Sequence, residues 1–157
     1  MEVNMVAIES KDDLYVIDLL EDFDEFYLEL EHFAEENRVP IIDKIGIRFL
    51  IQMLKIKKAK NLLEIGTAIG YTSIKLAEKI GCNVTTIERD DKMYNEAKKN
   101  IEKRNLNDKI TLLHADALEL QDEVIKNAPY DIVLLMAQRV KVGSFLNYMN
   151  HILLMML

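Results

Sequence analysis

The chain has 157 residues, half of them apolar and 30% charged, which fits about one domain with a real core and excludes a disordered chain. No apolar run reaches the ~18 residues that span a bilayer, the N-terminal residues lack the pattern of a signal peptide, and the single Cys82 excludes an internal disulfide framework. A net charge of −7 hides a split, −12 over residues 1–37 and +5 over 38–157, so an acidic average does not exclude a nucleic-acid partner.

In chain order, residues 12–36 show helical spacing: Leu14, Ile17, Leu20, Phe23, Tyr27, Leu30 and Phe33 recur every three or four. The segment Glu21-Asp22-Phe23-Asp24 is its weakest point, where Asp22 or Asp24 can cap a second helix. Val39-Pro40 ends the unit, because the residue before proline is pushed out of the helical region. Residues 42–56 predict an amphipathic helix with Ile45, Phe49, Leu50 and Met53 on one side. The period then changes. Asn61–Ile65 reads as a buried strand, Tyr71–Ile80 as a helix closed by Gly81, and Asn83–Ile87 as the second strand. A helix capped by Asp90 runs to about Arg104, Lys109–His114 is the third strand, Ala117–Lys126 a helix, and Asp131–Met136 the fourth strand. Four alternations predict a parallel α/β sheet in the order 3-2-1-4. Cys82 is expected to be a bland buried thiol in a reducing, cytoplasmic setting.

The segment Leu63 to Thr72 is a strand, then E-x-G-x-x-x-G, then a helix. Such a junction lets a ligand approach bare backbone and meet a helix N-terminus. Gly66 has no Cβ to block that approach. The spacing is not the G-x-G-x-x-G of dinucleotide binders, which weakens a dehydrogenase reading. Glu64, two residues before Gly66, tolerates a ligand carrying positive charge. Glu88 ends strand two, 22 residues after Gly66, where nucleotide-binding α/β proteins place an acid on the ribose hydroxyls. Asp116 and Ala117 follow strand three, where a side-chain acceptor and a backbone N–H can read an adenine edge. The alternatives at these positions are a structural turn, a surface glutamate and a helix cap.

The residues Glu64-Ile-Gly-Thr-Ala-Ile-Gly70, Ile87-Glu88 and Asp116-Ala117 resemble the class I S-adenosylmethionine-dependent methyltransferases, in the catechol-type, metal-dependent O-methyltransferase branch. The stretches Glu35–Lys44 and Ala115–Glu119 are similar to bacterial tRNA 5-hydroxyuridine methyltransferases. The resemblance implies a Rossmann-like α/β sheet with N-terminal helices and S-adenosylmethionine as cofactor. It implies Ile42, Glu64, Gly66, Thr72, Glu88, Asp116 and Ala117 as cofactor-binding positions, with Ile42 where relatives often carry methionine. It implies Mg²⁺ in the intact family and 5-hydroxyuridine in tRNA as substrate. A catechol-like small molecule is the alternative, as is a non-catalytic cofactor-binding remnant. A homodimer is left open. The divisions expected are a helical unit over 1–40, a cofactor-binding α/β domain over 41–133 and a divergent apolar tail over 134–157.

The resemblance breaks after strand four. Where the family reads roughly F-I-D-A-A-K, this chain reads Leu134-Leu-Met-Ala-Gln-Arg139. Met136 stands at the metal-ligand position and the lysine position falls at Gln138 or Arg139, so no catalytic or metal residue is assigned and weak or absent turnover is expected. Taking each wobble base with the first two bases of the next codon, permitted codons from 134 onward can read IDGAKSKSGKFFELYESYF. A frameshifted tail is expected on that ground. Lys55, Lys57, Lys58 and Lys60, and Lys98, Lys99, Lys103 and Arg104, are candidate contacts to tRNA phosphates, or simply solvated basic faces.

Overall fold

A computed structural model describes residues 24–117, 119 and 121–136. The chain runs α1 (Glu25–Asn37), α2 (Lys44–Lys57), β1 (Asn61–Ile65), α3 (Tyr71–Ile80), β2 (Asn83–Glu88), α4 (Asp91–Lys103), β3 (Ile110–His114), α5 (Gln121–Lys126) and β4 (Ile132–Leu135). The four strands are parallel in the order β3-β2-β1-β4, as the alternation predicts. Leu63 of β1 sits between Thr85 of β2 and Val133 of β4. No helix among the described residues is long and apolar enough to cross a membrane.

The pleat sorts the strand residues onto two faces. Leu62, Val84, Ile110, Ile132 and Leu134 pack with α1 to α4, while Leu63, Ile65, Ile87 and Val133 pack with Val124 of α5. Helix limits follow local chemistry. Asp24 caps α1, its carboxylate accepting from the Phe26 N–H, and Asp90 caps α4 by accepting from Met93. The first part of the predicted 12–36 helix lies outside the described residues, as does the tail from 137. Helix α5 begins at Gln121, four residues later than the predicted Ala117 start. Cys82 is buried, its Sγ donates to the Leu76 carbonyl at 3.5 Å, and burial pushes the thiol up to about 11.

The face assigned to α2 is corrected. Ile47 and Leu54 are its buried residues, whereas Ile45, Phe49 and Met53 are exposed, Phe49 by 66%. At 100° per residue Ile47 and Leu54 point away from Ile45 and Phe49, so the helix is apolar on opposite sides and the main core takes the other one, with Leu50 at its margin.

Helix α1 is fastened at its start. The Arg104 guanidinium, just past α4, donates to Glu78 at 2.5 Å and pairs with Asp24 at 3.0 Å, while the Tyr27 hydroxyl donates to Glu78 at 2.5 Å. Farther along, the Tyr71 hydroxyl donates to Glu31 at 2.6 Å and Lys44 pairs with the same carboxylate at 3.4 Å. Lys103 pairs with Glu29, so two members of the basic cluster on α4 serve the α1 contact.

Gly81 closes α3 in the left-handed region at φ +76°, donating to the Ala77 carbonyl. A Cβ there meets nothing within 4 Å, so the cost of a side chain is conformational alone. Gly81→Ala is expected to lower unfolding free energy by about 1–2 kcal/mol, read as a shifted urea midpoint at constant slope.

Candidate functional site

A cavity of about 580 Å³ opens at the C-terminal ends of β1, β2 and β3, the place where open α/β sheets receive ligands. Its size lies within the usual range for small-molecule sites. Gly66 and Ala68 from the turn after β1, Glu88 from the end of β2, and Asp116 and Ala117 from the loop after β3 line it together. The strand ends converge because parallel strands joined by crossover helices present all their C-termini on one edge.

The turn itself is shaped for close approach. Gly66 has φ +98° and Gly70 φ +85°, while Ala68 takes φ +49° in between. The Gly66 and Thr67 N–H groups both donate to the Ile87 carbonyl, at 2.9 and 3.2 Å. The buried Asn100 of α4 donates to the Ile69 carbonyl at 2.9 Å, pinning the far side of the loop.

Glu88 does more than the sequence suggests. Its carboxylate accepts from the Ala68 N–H at 2.8 Å and from the Arg89 and Asp90 N–H groups at 2.9 and 3.0 Å. A carboxylate has about four lone-pair sites, so capacity remains for a ligand hydroxyl. Arg89 reaches across the mouth toward Asp116, at 3.6 Å between exposed groups.

Glu64 stands apart from the cavity. It is 1% exposed. Because it shares a strand face with Leu62, it turns toward α3, where Ser73 and Thr86 donate to its Oε2. Thr86 also pairs with Thr67 at 2.6 Å. Among the described residues its Oε1 has no hydrogen-bond partner. Burial pushes this carboxyl up to about 7; the two hydroxyl donors pull it down and the Glu88 charge raises it further.

Of the seven sequence-derived cofactor positions, Gly66, Glu88, Asp116 and Ala117 line the cavity, and Ile42, Glu64 and Thr72 do not. Thr72 is buried in the first turn of α3, and Ile42 packs against the main core near Gly46. Sequence reasoning missed the wall formed by Asn37, Arg38, Val39 and Pro40, and the contributions of Arg89, Lys92 and Met93. The signal for the wall was Val39-Pro40, which stops α1 where its end meets the strand tips.

The implied Mg²⁺ does not fit the residues present. Met136 lines the cavity where the resemblance places a metal aspartate, and a thioether is a poor ligand for a hard cation that demands oxygen donors. Among the described residues no group of three or more His, Cys, Asp or Glu is arranged to hold a metal.

Comparison with known proteins agrees with this fold. A catechol O-methyltransferase from Niastella koreensis is 28% identical over 133 residues, covering 81% of this chain and 60% of the relative. A protein-L-isoaspartate O-methyltransferase from Methanococcus vannielii is 36% identical over 110 residues, covering 69% of this chain and 50% of the relative. The chain thus spans half to 60% of these curated relatives. Among solved structures, one from Staphylococcus aureus provisionally assigned as a caffeoyl-CoA O-methyltransferase has TM-score 0.82 and 31% identity, covering 91% of this chain and 68% of that one. An O-methyltransferase from Bacillus cereus, solved with S-adenosylhomocysteine (SAH), has TM-score 0.77 and 28% identity over 90% of this chain and 67% of that one. The O-methyltransferase family pattern matches residues 21–156, nearly the whole chain, and the chain belongs to that family.

Proposed function

We propose that the cavity binds S-adenosylmethionine and that the protein passes its methyl group to an oxygen nucleophile. The observation that carries this reading is the convergence of Gly66, Glu88 and Asp116-Ala117 on one cavity at the strand ends. Glu88 offers acceptor oxygens to a vicinal diol. Asp116 and the Ala117 N–H stand at the adjacent strand tip, suited to an adenine edge. The bare backbone at Gly66 admits the remainder of the ligand. When bound, the cofactor supplies an electrophilic methyl; this chain's residues bind and orient it. Ile42, Glu64 and Thr72 act from behind the cavity wall in this reading, Glu64 by bracing the turn through Ser73 and Thr86.

The proposed substrate is 5-hydroxyuridine in tRNA, supported by the resemblance of residues 35–44 and 115–119. A catechol-like phenol is the second reading, favoured by the relatives whose names carry catechol and caffeoyl-CoA. The third, a cofactor-binding chain with little turnover, is favoured by Met136 in the cavity wall. The reading-frame account of residues 134–157 belongs with it; the family match continues through 156, and sequencing the DNA around codon 134 checks it. The whole protein is proposed to act in the cytoplasm.

The test pairs calorimetry with labelled methyl transfer. SAH is expected to bind, with an affinity that Mg²⁺ leaves unchanged. Label is expected on hydroxyuridine-containing tRNA in preference to catechol, at a rate far below that of a metal-assisted enzyme, since a Lewis-acid metal contributes several kcal/mol. No binding by SAH overturns the cofactor reading. Robust Mg²⁺-dependent turnover overturns the third reading, and label on catechol alone overturns tRNA as substrate.

A further inference from the structure

The charges on the cavity wall are unequally committed. Among the described residues Glu88, Asp90 and Asp116 face Arg38, Arg89 and Lys92 there. Every acid is engaged within the protein. Glu88 accepts from the Ala68, Arg89 and Asp90 N–H groups, Asp90 caps α4 through Met93, and Asp116 pairs with Arg89 at 3.6 Å. Arg38 and Lys92 are exposed, and among the described residues neither side chain has a hydrogen-bond or ion-pair partner. Their backbones are held even so. The Arg38 and Val39 N–H groups donate to the Glu35 and Ala34 carbonyls at 3.3 and 2.8 Å where α1 stops, and Lys92 lies in the first turn of α4. Two uncommitted cations are thus fixed at one opening by different elements. The lysines that the sequence offers to RNA lie elsewhere. Lys57, Lys58 and Lys60 precede β1, at the N-terminal edge of the sheet, roughly 13 Å along the strand from the cavity edge. Lys103 and Arg104 are taken by Glu29 and Glu78.

We propose that Arg38 and Lys92 form a phosphate subsite at the cavity mouth, which holds a phosphate of the nucleotide acceptor while its base enters the cavity. The inference rests on the reading of RNA as methyl acceptor and deepens it. S-adenosylmethionine carries no phosphate, and its one anionic group is a carboxylate, so two uncommitted cations exceed what the cofactor needs. A catechol has no anionic group for either. The guanidinium presents a planar fork that matches phosphate oxygens, and the ammonium adds a compact charge beside it. Because both groups are exposed, they stay hydrated until the ligand arrives, and the gain on binding comes from counterions released by the phosphate. Such contacts place the strand and carry no sequence information, which leaves the choice of base to the cavity. The phosphate is the accepting nucleotide's own or that of its neighbour in the strand, and the chemistry of the subsite is the same for both.

The test is fluorescence anisotropy of a labelled anticodon stem-loop containing 5-hydroxyuridine, titrated with the full chain in saturating SAH over a range of salt concentrations. The double substitution Arg38→Gln, Lys92→Gln is expected to flatten the slope of log affinity against log salt by about 1.4, two contacts at roughly 0.7 each on a single strand. Carried to about 0.1 M salt, that slope change is about a 25-fold loss of affinity. Lys92→Gln alone, which leaves the left-handed Arg38 position untouched, is expected to flatten it by about 0.7. Arg38→Lys with Lys92→Arg keeps both charges and is expected to keep the slope, as is Lys57→Gln with Lys58→Gln at the other edge of the sheet. Calorimetric SAH affinity is expected to hold in every variant. Competition by 5-hydroxyuridine 5′-monophosphate names the source. A mononucleotide that binds wild type better than the double variant supports the nucleotide's own phosphate, and a loss confined to the stem-loop supports its neighbour's. A slope unmoved in the double variant overturns the subsite and leaves RNA as acceptor. No binding of the stem-loop by wild type overturns both. SAH affinity that falls in the double variant and returns in the charge-keeping one gives the cations to the cofactor carboxylate and overturns the proposal.

Discussion

Replacing Glu88 by alanine is expected to weaken calorimetric binding of S-adenosylmethionine by about 1–3 kcal/mol, roughly fivefold to 150-fold. Two losses combine. The ligand loses a charged acceptor at the end of β2, and the Ala68, Arg89 and Asp90 N–H groups lose theirs. The second loss is separable, because it acts without ligand: thermal stability of the unliganded variant falls as well. Glu88→Gln keeps one acceptor oxygen but turns an amide NH₂ toward backbone donors, so it recovers only part of either quantity. Affinity unchanged in Glu88→Ala excludes the residue from the cofactor site.

The second large effect concerns Glu64 and pH. Its carboxyl titrates near 4.5 in the unfolded chain and at about 7 in the folded one, because burial disfavours the charged form. Between those values the native chain holds a proton that the unfolded chain has released. Its contribution therefore favours folding most below pH 4.5 and declines as pH rises through about 7, by on the order of 3 kcal/mol. The difference in unfolding free energy between wild type and Glu64→Gln isolates this from other carboxylates. Glu64→Gln is expected to gain on wild type steadily from pH 5 to pH 8. A gap that stays constant over that range shows that Glu64 does not change protonation with folding.

These two acids show what a sequence discloses and what it withholds. Both read as glutamates near strand ends beside a glycine turn. Glu88 is the last residue of β2 and reaches the edge, whereas Glu64 is one short of the end of β1, and the pleat turns it toward α3. Where local chemistry decides, the reading held. The Asp24 and Asp90 caps, the Gly81 stop and the strand order all rest on interactions within a few residues or on the chirality of crossovers. Where a distant partner decides, it did not. Helix α2 has two apolar sides, and periodicity alone cannot name the one the core selects. The Asn37–Pro40 wall was half legible for the same reason: Val39-Pro40 announced the break, but nothing local says that it will end above three strand tips.

The fastening of α1 bears on the ligand site. Arg104, Glu78 and Tyr27 grip the start of this 13-residue helix, about 20 Å along its axis from the end that walls the cavity. Tyr71 and Lys44 grip its middle. The wall is thus one end of a braced strut and not a flap on a hinge. An edge of the cavity is therefore tied through α1 to α2, α3 and the end of α4, so a substitution at Glu78 or Arg104 reaches the ligand site from the far end of the helix.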